Sequence, residues 1–177
     1  VPDRTLLGII SYRKNMTKMK LEERFGLIND FSQIESSYSG TEAGFRAGMK
    51  KADLQYLQNK GFAKQALEKY KLISEESPLR IIREEAFFKQ ALVHSQLGET
   101  EQSIELLQQF LREFSAGDVR ISAQALLIDI LPGEIKRHVE RKDFIKALVL
   151  AKKNKDLFQK NWINSKFLID IAEAYHN

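Results

Sequence analysis

The sequence contains no cysteine, which removes disulfides, thiolate metal sites and thiol nucleophiles together. Only three prolines and nine glycines interrupt the 177 residues, and Leu, Ala, Glu, Lys and Gln fill the stretches between them, so the composition points to helices. No run of about 18 apolar residues occurs, and no segment reads as membrane-spanning. The apolar start at residues 6–10 is too short for a signal-peptide core followed by a cleavage site, and Val1-Pro2 without an initiator Met suggests an excised fragment. Glycine-rich phosphate loops, nucleophile elbows and kinase motifs are missing as well. No helix pattern carries two His at i, i+4, and no carboxylate stands at the spacing of a zinc or calcium motif. An enzyme reading has no residue to start from, and no catalytic residue, cofactor or metal ligand is expected.

What is present is charge of both signs, unevenly placed. The net charge is +4, yet residues 75–118 are rich in Glu, whereas residues 136–166 carry Lys136, Arg137, Arg141, Lys142, Lys146, Lys152, Lys153, Lys155, Lys160 and Lys166. One end of the molecule should be positive relative to its middle. Phe144, Phe158 and Trp162 lie among these bases, but at apolar-stripe positions, which favours packing over stacking on nucleic acid.

The apolar residues recur at helical spacing along the chain. Residues 3–14 and 17–36 read as two helices or as one long one. Tyr38-Ser-Gly-Thr41 is a turn with a Thr cap, followed by a helix to about residue 59 that aligns Phe45, Met49, Ala52 and Tyr56. Lys60-Gly61 should end it through a left-handed Gly. A partner helix carries Ala66, Tyr70 and Ile73 and stops near Pro78. After the next hairpin, Ser115-Ala-Gly-Asp118 closes with Asp118 as a cap. Pro132 should then break the chain into helices over 119–131 and 133–141. Paired glutamates such as Glu22-Glu23, Glu75-Glu76 and Glu84-Glu85 read as solvated helix faces.

Residues 84–115, EEAFFKQALVHSQLGETEQSIELLQQFLREFS, hold the best-formed pattern. Phe87, Ala91, His94, Gly98, Ser103, Leu107 and Phe110 stand where one tetratricopeptide repeat, a helix hairpin of about 34 residues, places its large, small, aromatic, turn and packing residues. The stretch resembles that family. Equivalent small residues recur at Ala66, Ser103 and Ala147, at intervals of 37 and 44 residues, and Lys142 stands where the turn Gly would be usual. The resemblance covers roughly residues 41–177, with a weaker echo from 3 to 38. It implies an all-α, right-handed α-solenoid of stacked antiparallel hairpins, at about 3–37, 41–77, 80–115 and 119–159, with an unpaired terminal helix at about 164–177. A hairpin cut in half leaves an apolar stripe unpaired, so continuation of the natural chain is expected.

The resemblance also implies a role. Tetratricopeptide arrays are non-catalytic scaffolds or adaptors that bind a peptide or partner protein along their concave first helices. On this chain the corresponding positions are Lys51, Gln55 and Asn59, then Glu85, Phe88, Leu92 and Gln96, then Lys136 and Glu140. Gln55 stands where the family's carboxylate clamp would use Asn, and Phe88 and Leu92 interrupt the next row, so apolar anchoring of a peptide is expected instead. His94 and His138 occupy the aromatic position and are expected to pack. The alternatives are a binder of nucleic acid or anionic membrane through the basic C-terminal face, or a structural spacer in a longer solenoid. The wording of the second helices is similar to repeats in bacterial cell-envelope proteins of the Tol-Pal-associated and outer-membrane-assembly type. That similarity implies a bacterial cytoplasm or periplasm with a lean to the envelope, and the compartment stays open.

Overall fold

A computed structural model describes residues 21–176, and the segment expected as a helix over 3–14 lies outside the described residues. The described chain is all-helical. Its elements are α1 (Leu21–Ser37), α2 (Glu42–Gln58), a 3-10 turn (Lys60–Phe62), α3 (Ala63–Glu76), α4 (Arg80–Gln96), α5 (Thr100–Glu113), α6 (Asp118–Glu140), α7 (Phe144–Lys153), α8 (Lys155–Gln159) and α9 (Lys166–His176). None of these helices is long and apolar enough to cross a membrane.

Neighbours in sequence are neighbours in space. Each helix from α1 to α6 packs on the next, and α2, α4, α6 and α9 also touch one another in turn, forming a continuous row. The α1–α2 contact is close because Gly44 and Gly48 face it: a Cβ on Gly44 would come within 2.2 Å of the Tyr38 carbonyl oxygen. Thr41 caps α2, accepting a hydrogen bond from the Gly44 amide at 3.3 Å. Helix α2 ends differently from the expected left-handed Gly61. Asn59 is extended, with φ −153°, and its side chain accepts from the Gly61 amide at 2.8 Å, so the short polar side chain makes the turn instead.

Helix α4 is the centre. Ile82, Ala86 and Val93 join Met49, Ala52, Tyr70 and Ile73 in one apolar cluster, while Phe87, Phe88 and Ala91 join Ile104, Leu107, Phe110, Leu127, Leu131 and Ile135 in another. Phe110 stacks within 5.8 Å of Phe87 and 4.8 Å of Phe114. The small residues let the hairpin close: Ser103 is fully buried and its hydroxyl donates to the Ala91 carbonyl at 2.8 Å. Three polar residues of α4, Glu84, Lys89 and Gln90, are buried too. Lys89 reaches both carboxylate oxygens of Asp53 on α2, at 2.8 and 2.7 Å, and Tyr70 on α3 donates to the same carboxylate at 2.6 Å. Glu84, expected on a solvated face, is 5% exposed and meets Arg80 Nε at 2.5 Å.

Helix α6 runs unbroken through Pro132 for 23 residues, where two helices were expected. Pro132 removes one amide donor, at a cost of about 3 kcal/mol. Leu127, Leu131 and Ile135 lie on one face across it and are all fully buried, each contributing about 1.5–3 kcal/mol. Burial on both sides of the proline outweighs the lost bond. Gly117, with φ 121°, precedes the helix, and Asp118 sits in its first turn and does not cap it. The expected second helix of this hairpin divides at Asn154, a buried side chain that donates to the Leu150 carbonyl at 2.8 Å and so separates α7 from α8. Exposed Ile145, Leu148 and Val149 on α7, with Ile169 on α9, leave an apolar face uncovered at this end.

Two turns share one geometry 44 residues apart. Gly98 has φ 79° and Lys142 has φ 60°, and the following amides of Glu99 and Asp143 donate to the His94 and His138 carbonyls at 3.0 and 2.9 Å. This is the left-handed helix end that glycine favours. Lys142 adopts it against the steric preference of an L side chain. Lys142→Gly should therefore raise unfolding free energy by about 1 kcal/mol, and Gly98→Ala, whose Cβ would meet open space, should lower it by a similar amount, both read from urea melts.

Candidate functional site

The residues expected to bind a partner do not converge. Lys51 and Gln55 line one shallow depression between α2 and α3, of 520 Å³, together with Lys69 and Leu72. Asn59 is exposed but serves the turn after α2. Glu85 lies beside Arg80 and Glu84 in a second depression of 590 Å³ where α4 meets the start of α6. Phe88 is 1% exposed and belongs to the core, so it offers no anchor to a ligand. Burial of α4 on two faces is the reason: the row α2, α4, α6 covers the side that a hairpin alone would leave open. Leu92 is half-buried against the same cluster, Gln96 is half-buried, and Lys136 is exposed 3.8 Å from Glu140.

Lys51 also has a partner inside the fold. Glu35 on α1 accepts from Lys69 on α3 at 2.6 Å and from Lys51 on α2 at 3.1 Å. Burial pushes the Glu35 carboxyl up, but the two ammonium groups more than offset it and hold its pKa below the usual carboxylate range.

Another opening lies on the side of the second helices. Helix α6 is 23 residues long, α5 only 14 and α7 only 10, so the second helices cannot cover it along its whole length. A groove of 630 Å³ results. Its floor is Arg120, Gln124 and Leu127 of α6; one wall is Glu105, Gln108, Gln109, Leu111 and Arg112 of α5; the other is Lys153, Asn154, Asp156, Leu157, Lys160 and Trp162. Four cations face two carboxylates, leaving the groove positive. Arg120 is held in place by the Leu111 and Phe114 carbonyls, at 2.6 and 2.5 Å. Lys160 lies 4.8 Å from the centre of the Trp162 ring, and this tryptophan is 43% exposed, whereas Phe158 of the same basic segment is buried. The Gln108 side-chain nitrogen is buried without a hydrogen-bond partner.

The histidines divide. His94 is not core packing: it is partly exposed, and its Nδ1 lies 2.6 Å from a Glu99 carboxylate oxygen across the turn. His138 is 3% exposed and stands beside Glu134 and Glu101, the one group among the described residues whose donor atoms converge as metal ligands do. Sequence spacing did not single out this trio, because Glu101 comes from a different helix.

No family model, no curated protein and no solved structure matches the chain.

The Glu35 contacts carry a pH dependence of known sign. A depressed folded pKa gives a contribution that is complete above the unfolded value, about 4.3, and fades as pH falls through the folded one. Hydrogen-exchange protection of α1 should hold from neutrality to about pH 4.5 and decline below it. Glu35→Gln should lower that protection at neutral pH and flatten its acid dependence.

Proposed function

We propose that the chain is a tetratricopeptide-like solenoid module acting as a non-catalytic protein-interaction scaffold, and that it binds an extended acidic segment of a partner in the groove between α5 and α8. The repeat reading draws support from the recurrence of one turn geometry at Gly98 and Lys142, from the buried small residues Ala66, Ser103 and Ala147, and from the row formed by α2, α4, α6 and α9. The right hand of the superhelix follows from the resemblance.

One observation carries the ligand: the groove combines a surplus of cations with glutamines in its lining and an exposed tryptophan. Gln108, Gln109 and Gln124 offer amides to a peptide backbone, Arg112 and Lys153 face acidic side chains, and Trp162 offers an apolar surface with a low entropy cost of ordering. Single-stranded nucleic acid is the second reading, since Trp162 beside Lys160 is the one exposed aromatic–cation pair in the basic segment. The two carboxylates Glu105 and Asp156 on opposite walls count against a continuous phosphate track.

Trp162 is the only tryptophan, so its fluorescence reports the groove directly. Titration with a synthetic peptide alternating Glu with apolar residues should shift its emission, with affinity falling as salt rises. Arg112→Glu combined with Lys153→Glu should weaken binding about tenfold or more. Unchanged affinity in that variant, or tighter binding of oligothymidylate than of the peptide, would overturn the assignment.

A further inference from the structure

We infer that Glu101, Glu134 and His138 form a binding site for a divalent transition ion of the Zn2+ class, joining α5 to α6. The inference stands independently of the groove's ligand. Glu134 and His138 lie four residues apart on one face of α6, with side chains 1% and 3% exposed, and Glu101 reaches them from the first turn of α5. His138 Nε2 lies 3.2 Å from a Glu134 oxygen and 3.3 Å from a Glu101 oxygen. A ring nitrogen carries at most one hydrogen, which cannot point at two carboxylates at once. Both separations match the edge of a tetrahedron whose centre lies about 2.0–2.1 Å from each donor, the bond length of Zn2+ to nitrogen and oxygen.

The surroundings fit the same role. Behind the ring, Nδ1 lies 3.8 Å from an Asp143 carboxylate oxygen, the side on which metal-bound imidazoles are commonly oriented by an acid. Arg137 lies on Glu134, its Nε 3.2 Å from one oxygen. Its Nη2 lies 2.5 Å from Oε1, the same Glu134 oxygen that faces His138, so the guanidinium fixes the orientation of Glu134 and an ion would share Oε1 with it. The three carboxylates around His138, of Glu101, Glu134 and Asp143, face two cations, Arg137 on Glu134 and Lys146 at 3.5 Å from Asp143, so one negative charge is left for a bound cation to offset. Glu101 is 47% exposed, which leaves an open side for ion entry and for water as a fourth ligand. An imidazole ligand and only three protein donors suit Zn2+ or Co2+ better than Ca2+ or Mg2+, which prefer larger oxygen shells. The ion would fix α5, one wall of the groove, on α6, its floor.

The test is titration of the intact chain with Co2+, following the visible ligand-field bands of a four-coordinate ion, then displacement by Zn2+ and the accompanying rise in melting temperature. One equivalent should bind in the wild type. Glu101→Gln, at an exposed position that carries no folding burden, should weaken binding about tenfold or more, and His138→Asn should abolish the bands. His94→Ala should leave both unchanged. Absence of bands and of any melting shift in the wild type would overturn the site, as would loss of binding in His94→Ala with retention in Glu101→Gln. An equal response to Mg2+ would overturn its class.

Discussion

Helix α4 is buried on opposite faces by two separate apolar clusters, and the placing of every other helix depends on that double burial. Three polar residues of this helix, Glu84, Lys89 and Gln90, are cut off from solvent, so each must find a partner within the fold. Lys89 finds Asp53, which Tyr70 also holds; Glu84 finds Arg80; Gln90 donates to Ser74 at 3.0 Å. The Lys89–Asp53 pair spans α4 and α2, and loss of either charge alone would strand the other at about 3–5 kcal/mol. Apolar contact holds the stack together, while these pairs fix which residue sits opposite which. The Ser103 hydroxyl on the Ala91 carbonyl does the same for α5.

Local chemistry was legible in the residues and tertiary burial was not. Thr41 caps α2 because a hydroxyl near the first amides is a local matter, and the turn at Gly98 follows from a single residue's conformational freedom. Lys142 was readable as a turn only through its interval from Gly98, since a lysine announces nothing by itself. Phe88 was misread as an exposed anchor because a hairpin considered alone has an open side, and only the arrival of α6 closes it. Pro132 was misread as a break for a similar reason: its local cost is plain, whereas the compensating burial of Leu131 and Ile135 comes from other helices. Gly61 and Asp118 were given the roles that their residue types favour, and Asn59 and Gly117 took them instead.

The groove is a consequence of lengths that do not match. The 44-residue interval between Ser103 and Ala147, seven longer than the one before it, left its trace in the sequence. Those residues became about two added turns of α6 with no partner on the outer side. The short α7 and the break at Asn154 then turn α8 and Trp162 back towards the uncovered stretch. Basic residues that seemed to form one positive end are thereby divided: Lys153 and Lys160 face the groove, and Lys136 lies away from it.

Chemical-shift mapping with the same acidic peptide tests most directly whether that uncovered stretch of α6 is where a partner lies. Amide and side-chain signals of Gln108, Arg112, Gln124, Lys153 and Trp162 should move together and saturate at one concentration, while those of Lys51, Gln55 and Lys136 stay in place. Shifts centred on Lys51 and Gln55, or spread evenly over the exposed lysines, would contradict it.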